Sequence, residues 1–293
     1  MKISVCIPVY NFDVTETVQN LRKEISENNL NAEIILIDDC SEKQYQNTTQ
    51  NLQNIADKII FLEKNVGRSK IRNSFLRYAS GTFLLFLDCD AKIIHQQFIR
   101  NYISEISKNP ETDLFYGGFN IDVRFSETLR NLYSLRREIS KDFGSKDFSL
   151  LKTANFIIKK VVLAKIPFDE NLCDYGYEDY VFAKKLEKHN FRFLYINNPV
   201  IHYDQSENSV FLSKTKRGIN SLHKLSLNSE NSEYINDIKL FKAAKFIKKI
   251  HFTSLYQLFY KSLESKILKN LLSKKPNLYN FDLYKLHLLL EKL

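Results

Sequence analysis

An α/β fold built on a doubly wound parallel sheet is what this sequence predicts, and three observations carry the prediction. Short apolar runs of strand length alternate with segments of helical spacing through the first ninety residues. Three of those runs stop abruptly in polar side chains: Tyr10 and Asn11, then Asp38 and Asp39, then Asp88 and Asp90. In open α/β sheets ligands bind outside the carboxyl ends of the strands, so these polar groups fall where a crevice is expected.

Residues 2–11 read as a strand ending at Pro8, followed by a Tyr-Asn loop. Residues 15–29 place Val18, Leu21 and Ile25 on one helical face, with Thr15 as the expected N-cap. A second apolar strand over 32–37 stops at Asp38-Asp39-Cys40-Ser41, and a polar helix is expected over 44–56. Residues 58–62 form a short strand, and the glycine-containing turn at 65–73 feeds a helix that runs through Tyr78 and is ended by Gly81. The run Phe83-Leu84-Leu85-Phe86-Leu87 is then a buried strand that delivers Asp88 and Asp90. Two carboxylates with that spacing suit a hard divalent cation and the phosphates it binds, although Asp is also an ordinary turn residue.

Beyond residue 91 the pattern predicts a helix over 93–108, a strand over 115–125 in which Gly117-Gly118 allows close backbone approach, and a charged helical insert over 126–148 carrying Arg136 and Arg137. A strand over 153–160, a polar aromatic loop over 169–177, a helix opening on Glu178 and Asp179, and a strand over 192–196 leading to His202 follow. The remainder is lysine-rich and helical, with amphipathic spacing over 241–250, 255–272 and 281–293.

With 293 residues, 44% of them hydrophobic and including 22 Phe and 16 Tyr, the chain has ample material for a core. No signal-peptide layout opens it and no apolar stretch approaches the roughly 18 residues of a spanning helix, which predicts a soluble or peripheral protein. Cys6, Cys40, Cys89 and Cys173 lack metal-binding spacing and read as reduced thiols of a cytosolic protein. The net charge of +9 is segregated: residues 1–204 hold 27 basic and 27 acidic residues, while 205–293 hold 16 basic against 7 acidic. Nucleic-acid binding is therefore not expected of the body, and the basic tail suits packing on the body, a partner, or an anionic membrane surface.

The dinucleotide Gly-x-Gly-x-x-Gly and the phosphate-cradling Gly-x-x-x-x-Gly-Lys-Ser/Thr loops are both absent. Instead four motifs occur in order: Ile7-Pro8-Val9-Tyr10-Asn11, Ile37-Asp38-Asp39-Cys40-Ser41, Asn65-x-Gly67-x-x-x-x-Arg72-Asn73, and Leu87-Asp88-x-Asp90. In that order they resemble the inverting family 2 glycosyltransferases of GT-A fold, over about residues 1–204. The resemblance implies a Rossmann-like mixed sheet flanked by helices, a nucleotide-binding half over 1–91, an acceptor half over 92–204, and a helical extension over 205–293. It implies that Pro8, Tyr10, Asn11 and Asp39 line the nucleotide pocket, with Asp38 capping the next segment, and that Arg68 meets the base or diphosphate. Asp90 is then the direct metal ligand, Asp88 binds ribose or a metal-bound water, His202 completes the metal shell, and Asn155 contacts the donor sugar. Acids in a first helical turn also complement the helix dipole, but inverting transfer needs a base for the acceptor hydroxyl, and the resemblance puts Asp179 in that role with Glu178 orienting the acceptor.

The expectation is thus a metal-dependent transferase, using Mn2+ or Mg2+, that moves a sugar from a nucleotide-diphosphate sugar, UDP-linked by preference, to a carbohydrate or glycolipid acceptor in bacterial surface polymer synthesis. Its expected place is the cytoplasm or the inner face of the cell membrane. A sugar nucleotidyltransferase is the alternative enzyme, for which the loop after the first strand lacks the glycine-rich phosphate grip, and a non-catalytic protein of the same fold is the third reading.

Overall fold

The computed structural model describes residues 1–172, 175–228 and 231–293. Its contacts divide the chain into two interleaved units: Met1–Asp122, Ile139–Cys173 and Glu178–Tyr203 form the first, and Val123–Glu138, Asp174–Tyr177 and Asp204–Leu293 the second.

The first unit opens with β1 (Ile3–Val9), α1 (Thr15–Glu27), β2 (Ala32–Asp38), α2 (Lys43–Gln50), β3 (Lys58–Phe61), α3 (Arg68–Tyr78) and β4 (Phe83–Leu87). These strands pair in parallel in the order β3-β2-β1-β4, with Ile3 opposite Ala32 on one side and Phe83 on the other. Strand β1 does not end at Pro8 but runs through it. The carbonyl of Lys2 accepts from Thr82 on the β4 side and that of Val9 from Asp39 on the β2 side. The N–H that Pro8 lacks therefore points toward β4, beyond Cys6, the last residue paired there. Thr15 is the first helical residue rather than the cap, and its N–H donates to the Asp13 carboxylate at 2.9 Å. Helix α2 stops at Gln50, short of the expected 56, and the chain then turns.

The amino ends of β1, β2 and β4 are fastened by Glu33. Its carboxylate accepts from the Ser4 hydroxyl at 2.6 Å and from the Ser80 N–H and hydroxyl at 2.6 and 2.8 Å. Burial alone would raise its pKa, but these donors and Lys58 bring it down to about 2.

The second half of this unit departs from an all-parallel sheet. After β5 (Ala91–Lys92) and α4 (Phe98–Lys108) come β6 (Leu114–Tyr116) and β7 (Phe119–Ile121). Helix α4 begins five residues later than its apolar spacing suggests, because its amino end is capped from a distance. Glu24 of α1 accepts from the Ile99 and Arg100 N–H groups, each at 3.0 Å. The expected strand over 115–125 is broken at Gly117-Gly118, and β6 and β7 join different sheets. A β carbon on Gly117 would lie 2.2 Å from the Tyr102 hydroxyl and 2.5 Å from Asn155 Nδ2, and Gly118 has φ +81°.

In chain order β8 (Asn155–Lys159), α6 (Lys160–Lys165), α7 (Glu178–Lys188), β9 (Phe193–Tyr195) and β10 (Val200–His202) complete the unit; α5 belongs to the second unit, described below. Strand β8 runs antiparallel between β4 and β6, so the seven-stranded sheet β3-β2-β1-β4-β8-β6-β9 is mixed. A second sheet has the order β5-β10-β7. The two faces of the large sheet carry two apolar cores, one with Val5, Ile7, Leu85 and Ile157, the other with Cys6, Leu84, Phe86 and Phe156. That split follows the twofold alternation of side chains along each strand.

The second unit takes in part of the expected helical insert. Only α5 (Leu129–Tyr133) and the π-helical turn Ser134–Glu138 within 126–148 are helical in that unit, and Phe148–Leu150 of the first unit is a single 3-10 turn. Four helices follow: α8 (Asn208–Leu227), α9 (Lys239–Lys249), α10 (Thr253–Leu271) and α11 (Leu278–Leu290). Leu129, Phe211, Tyr260, Leu271 and Phe281 share one core, and Arg137 pairs with Asp282 at 3.0 Å. No helix among the described residues is long and apolar enough to cross a membrane. Cys6, Cys40 and Cys89 are free thiols, and Cys173 lies outside the described residues.

The Gly117 corner yields a direct test. Gly117→Ala forces a methyl group into packed polar atoms and is expected to cost about 2 to 3 kcal/mol in urea denaturation, whereas Gly144→Ala, where nothing lies within 4 Å of the added carbon but φ is +88°, pays backbone strain alone and should cost about 1 kcal/mol.

Candidate active site

The carboxyl ends of β1, β2 and β4 lie side by side, and the acidic and polar residues singled out in the sequence gather there. Asn11, at φ 48°, ties the first two ends together: its N–H donates to the Ser41 hydroxyl at 2.9 Å and its side-chain oxygen accepts from the Glu42 N–H at 2.7 Å. Tyr10 beside it is 51% exposed, its ring open to a flat ligand. Pro8, one residue further back, is partly buried in the strand.

Asp38 caps the turn after β2, accepting from the Ser41 N–H at 2.8 Å. Asp39 instead reaches across to the loop before α3, where its two carboxylate oxygens accept from the Val66 N–H at 2.7 Å and the Gly67 N–H at 3.2 Å. Burial raises its pKa, with the nearby Asp38 charge acting in the same direction, while those two amides oppose the rise. Asp39 thus holds the glycine turn that opens α3 and brings Arg68 and Arg72 to the edge of the sheet.

Both arginines then pair with acids of the site. Arg72, only 3% exposed, donates to Asp88 at 2.7 Å and lies over the Phe168 ring. Arg68, whose side chain is 54% exposed, approaches Glu178 Oε1 at 3.3 Å. Arg72 was present in the sequence motif without a role. The signal for one was its place one helical turn after Arg68 on the same face of α3 as the buried Ser69 and Phe75.

Asp90 and His202, 112 residues apart in sequence, are adjacent in space. The small sheet is responsible: β10 runs antiparallel to β5 with His202 opposite Ala91, and the Tyr203 N–H donates to the Asp90 carbonyl at 2.9 Å. The ring nitrogen Nε2 of His202 lies 3.2 Å from Asp90 Oδ2, and the ring packs against Phe119. Burial acts to raise the Asp90 pKa, but a positive His202, the hydrogen bond between them, and Arg68 outweigh it and hold the carboxyl below its usual range. Cys89 between the two acids is pushed up to about 12 by burial and by its acidic neighbours, so it stays a neutral thiol.

These residues fit a divalent cation. Oδ1 of Asp90 is buried without a hydrogen-bond partner, and a carboxylate oxygen beside an imidazole is a donor set that manganese accepts better than magnesium. Among the described residues no three His, Cys, Asp or Glu groups close into a ligand set, and one carboxylate of the expected trio, Asp88, is held by Arg72. Asp90 and His202 would therefore hold such a cation, which would supply positive charge for a phosphate-bearing ligand.

Glu178 and Asp179 differ in their surroundings. Glu178 is 4% exposed, paired through one oxygen to Arg68, with its other oxygen buried and without a hydrogen-bond partner. Asp179 is more accessible, and its Oδ1 accepts the Tyr180 N–H at 2.7 Å.

One sequence assignment is corrected. Asn155 does not face a sugar. It is fully buried, accepts from the Tyr102 hydroxyl at 2.7 Å, and donates to the carbonyls of Gly118 and Asn198, both at 2.8 Å. Its amide is consumed in fastening β8 to the corner between β6 and β7.

The family model described as glycosyl transferase family 2 matches residues 4–166. The poly(ribitol-phosphate) beta-N-acetylglucosaminyltransferase TarS of Staphylococcus aureus is 36% identical over 94 residues, 31% of this chain and 16% of that protein. The minor teichoic acid biosynthesis protein GgaB of Bacillus subtilis is 26% identical over 247 residues, 80% of this chain and 26% of its own length. The chain thus spans only 16% and 26% of the length of these two relatives. Among solved structures, TarS 1-349 from S. aureus in complex with UDP-GlcNAc superposes with a TM-score of 0.56 at 18% identity, covering 99% of this chain and 90% of that one. A mannosyltransferase from Pyrobaculum calidifontis in complex with GDP-Man and Mn2+ gives 0.59 at 14% identity, covering 81% and 67%. At these identities the superpositions establish the fold alone.

The two arginines should separate in stability. Arg72→Met strands Asp88 beside a buried apolar site and is expected to cost about 2 to 4 kcal/mol in urea denaturation. Arg68→Met removes a half-exposed partner but leaves the buried Glu178 carboxylate without it, and should cost about 1 to 2 kcal/mol.

Proposed function

The chain belongs to glycosyl transferase family 2 and has the GT-A fold, and from that premise we propose that it is an inverting, metal-dependent glycosyltransferase that takes its sugar from a UDP-linked donor. The observation that carries the proposal is the pairing of His202 with Asp90 at the carboxyl end of β4, with a buried oxygen of Asp90 left over for a ligand. The UDP-GlcNAc complex of TarS and the Mn2+ complex of the mannosyltransferase support the donor class and the cation. The printed names of TarS and GgaB support a wall or surface polymer as acceptor.

In this reading the nucleotide lies over the ends of β1 and β2, its base against the exposed Tyr10 ring and its edge toward the Asn11 and Asp39 loops. Asp88, oriented by Arg72, receives the ribose. Asp90 and His202 would hold a divalent cation, which when bound would supply Lewis-acid neutralisation of the diphosphate charge. Arg68 adds a fixed positive charge nearby and, through its 3.3 Å contact, orients Glu178 toward the acceptor. The acceptor hydroxyl oxygen attacks the anomeric carbon from the face opposite the diphosphate. Its proton passes to the Asp179 carboxylate, the new glycosidic bond forms, and the bond to the diphosphate oxygen breaks with its electron pair leaving on UDP.

Asp179→Asn is expected to lower kcat by about a thousandfold while UDP binding by calorimetry stays at the wild-type level. Chelator should abolish turnover and Mn2+ restore it. Wild-type turnover in the Asn variant would remove the base assignment, full turnover in excess chelator would remove the metal, and retention of the donor's anomeric configuration by NMR would remove inversion.

A further inference from the structure

Around the turn between α9 and α10 the helical unit exposes large apolar side chains interspersed with lysines, and we propose that this surface docks on an anionic lipid bilayer. Helix α9 buries Phe241 and Ala244 but leaves Phe246 63% exposed, and α10 buries Tyr260, Ile267 and Leu271 but exposes Leu255, Leu258 and Phe259 at its opening end. Ile250 and Phe252 are exposed in the turn itself, on either side of His251, which has a φ of 57°. Six large apolar side chains thus gather within fourteen residues of one connection, whereas soluble surfaces scatter such groups singly.

Charge selects the occupant. Residues 239–269 hold eight lysines and one acid, Glu264. Lys245, Lys248 and Lys249 stand among the exposed apolar groups of α9, and Lys261 follows those of α10. Two copies of this surface meeting face to face would bring like charges together, which opposes association, and a nucleic acid has no use for six exposed apolar side chains. Aliphatic and aromatic groups at the level of the acyl boundary, with lysines reaching phosphate head groups, satisfy both halves of the pattern. The small number of acids in this stretch is the feature that a protein partner would not require. This inference stands on the helical unit by itself and does not depend on the transferase reading.

The test is flotation of the full chain with vesicles of phosphatidylglycerol and phosphatidylethanolamine, against vesicles of phosphatidylcholine alone. Wild type is expected to float with the anionic vesicles, to be released by high salt, and to stay in solution with phosphatidylcholine. The variant Phe246→Ser, Phe252→Ser, Phe259→Ser should stay in solution with both while keeping the wild-type circular dichroism and melting temperature, because none of the three is buried. Lys245→Gln, Lys248→Gln, Lys249→Gln should weaken anionic binding about a hundredfold, taking roughly 1 kcal/mol per lysine. Failure of wild type to float with anionic vesicles, or flotation unchanged by the serine variant, would overturn the proposal. A dimer by light scattering that the serine variant dissociates, with no vesicle binding, would overturn it in favour of a second copy of the chain.

Discussion

The amide of Asn155 is the constraint on which the site depends. It sits at the start of β8, opposite Leu87 of β4, and its three hydrogen bonds reach α4, the Gly117-Gly118 corner and the loop before β10. Asn198 extends the same network, accepting from Asn101 and donating to the Phe98 carbonyl, each at 3.0 Å. A buried polar network is stabilising only when every member is satisfied, so the corner has one workable geometry. That geometry turns the chain out of the large sheet, lays β10 along β5, and delivers His202 to Asp90. The Asp90–His202 pair is therefore set by a residue that hydrogen-bonds to neither of them.

Electrostatics at the sheet edge follow the same economy. The first 204 residues are neutral as a whole, yet Asp38, Asp39, Asp88, Asp90 and Glu178 crowd around a few strand ends. Helix α3 answers them with two guanidinium groups one turn apart: Arg72, buried, on Asp88 and Arg68, exposed, on Glu178. Arg68 also contributes to holding Asp90 ionised. One helix start, itself held by the carboxylate of Asp39, thus organises acids drawn from the two ends of the fold.

Much of this was legible in the sequence because the first half obeys local rules. Apolar runs of strand length stop at the acids they deliver, and α1, β2, β3, α3 and β4 lie within a few residues of where their periodicity places them. What the sequence hid was decided at a distance. The start of α4 is set by Glu24 on another helix, the break at Gly117 by side chains of Tyr102 and Asn155, and the passage of β1 through Pro8 by the shortness of the β4 ladder. Asn155 was misread for the same reason: an Asn at a strand start offers no local sign of whether its amide faces a ligand or the core. The association of His202 with Asp90 was accessible only through family resemblance, since nothing in local spacing links residues on β10 to the turn after β4.

The central claim is that Asp90 and His202 form one cation site at the carboxyl end of β4. It is tested most directly by anomalous diffraction from crystals of the protein grown with UDP and Mn2+. The account predicts a single strong manganese peak within bonding distance of the Asp90 carboxylate and His202 Nε2, and touching the diphosphate. A peak held by other residues, or UDP bound with no metal between its diphosphate and Asp90, would contradict it.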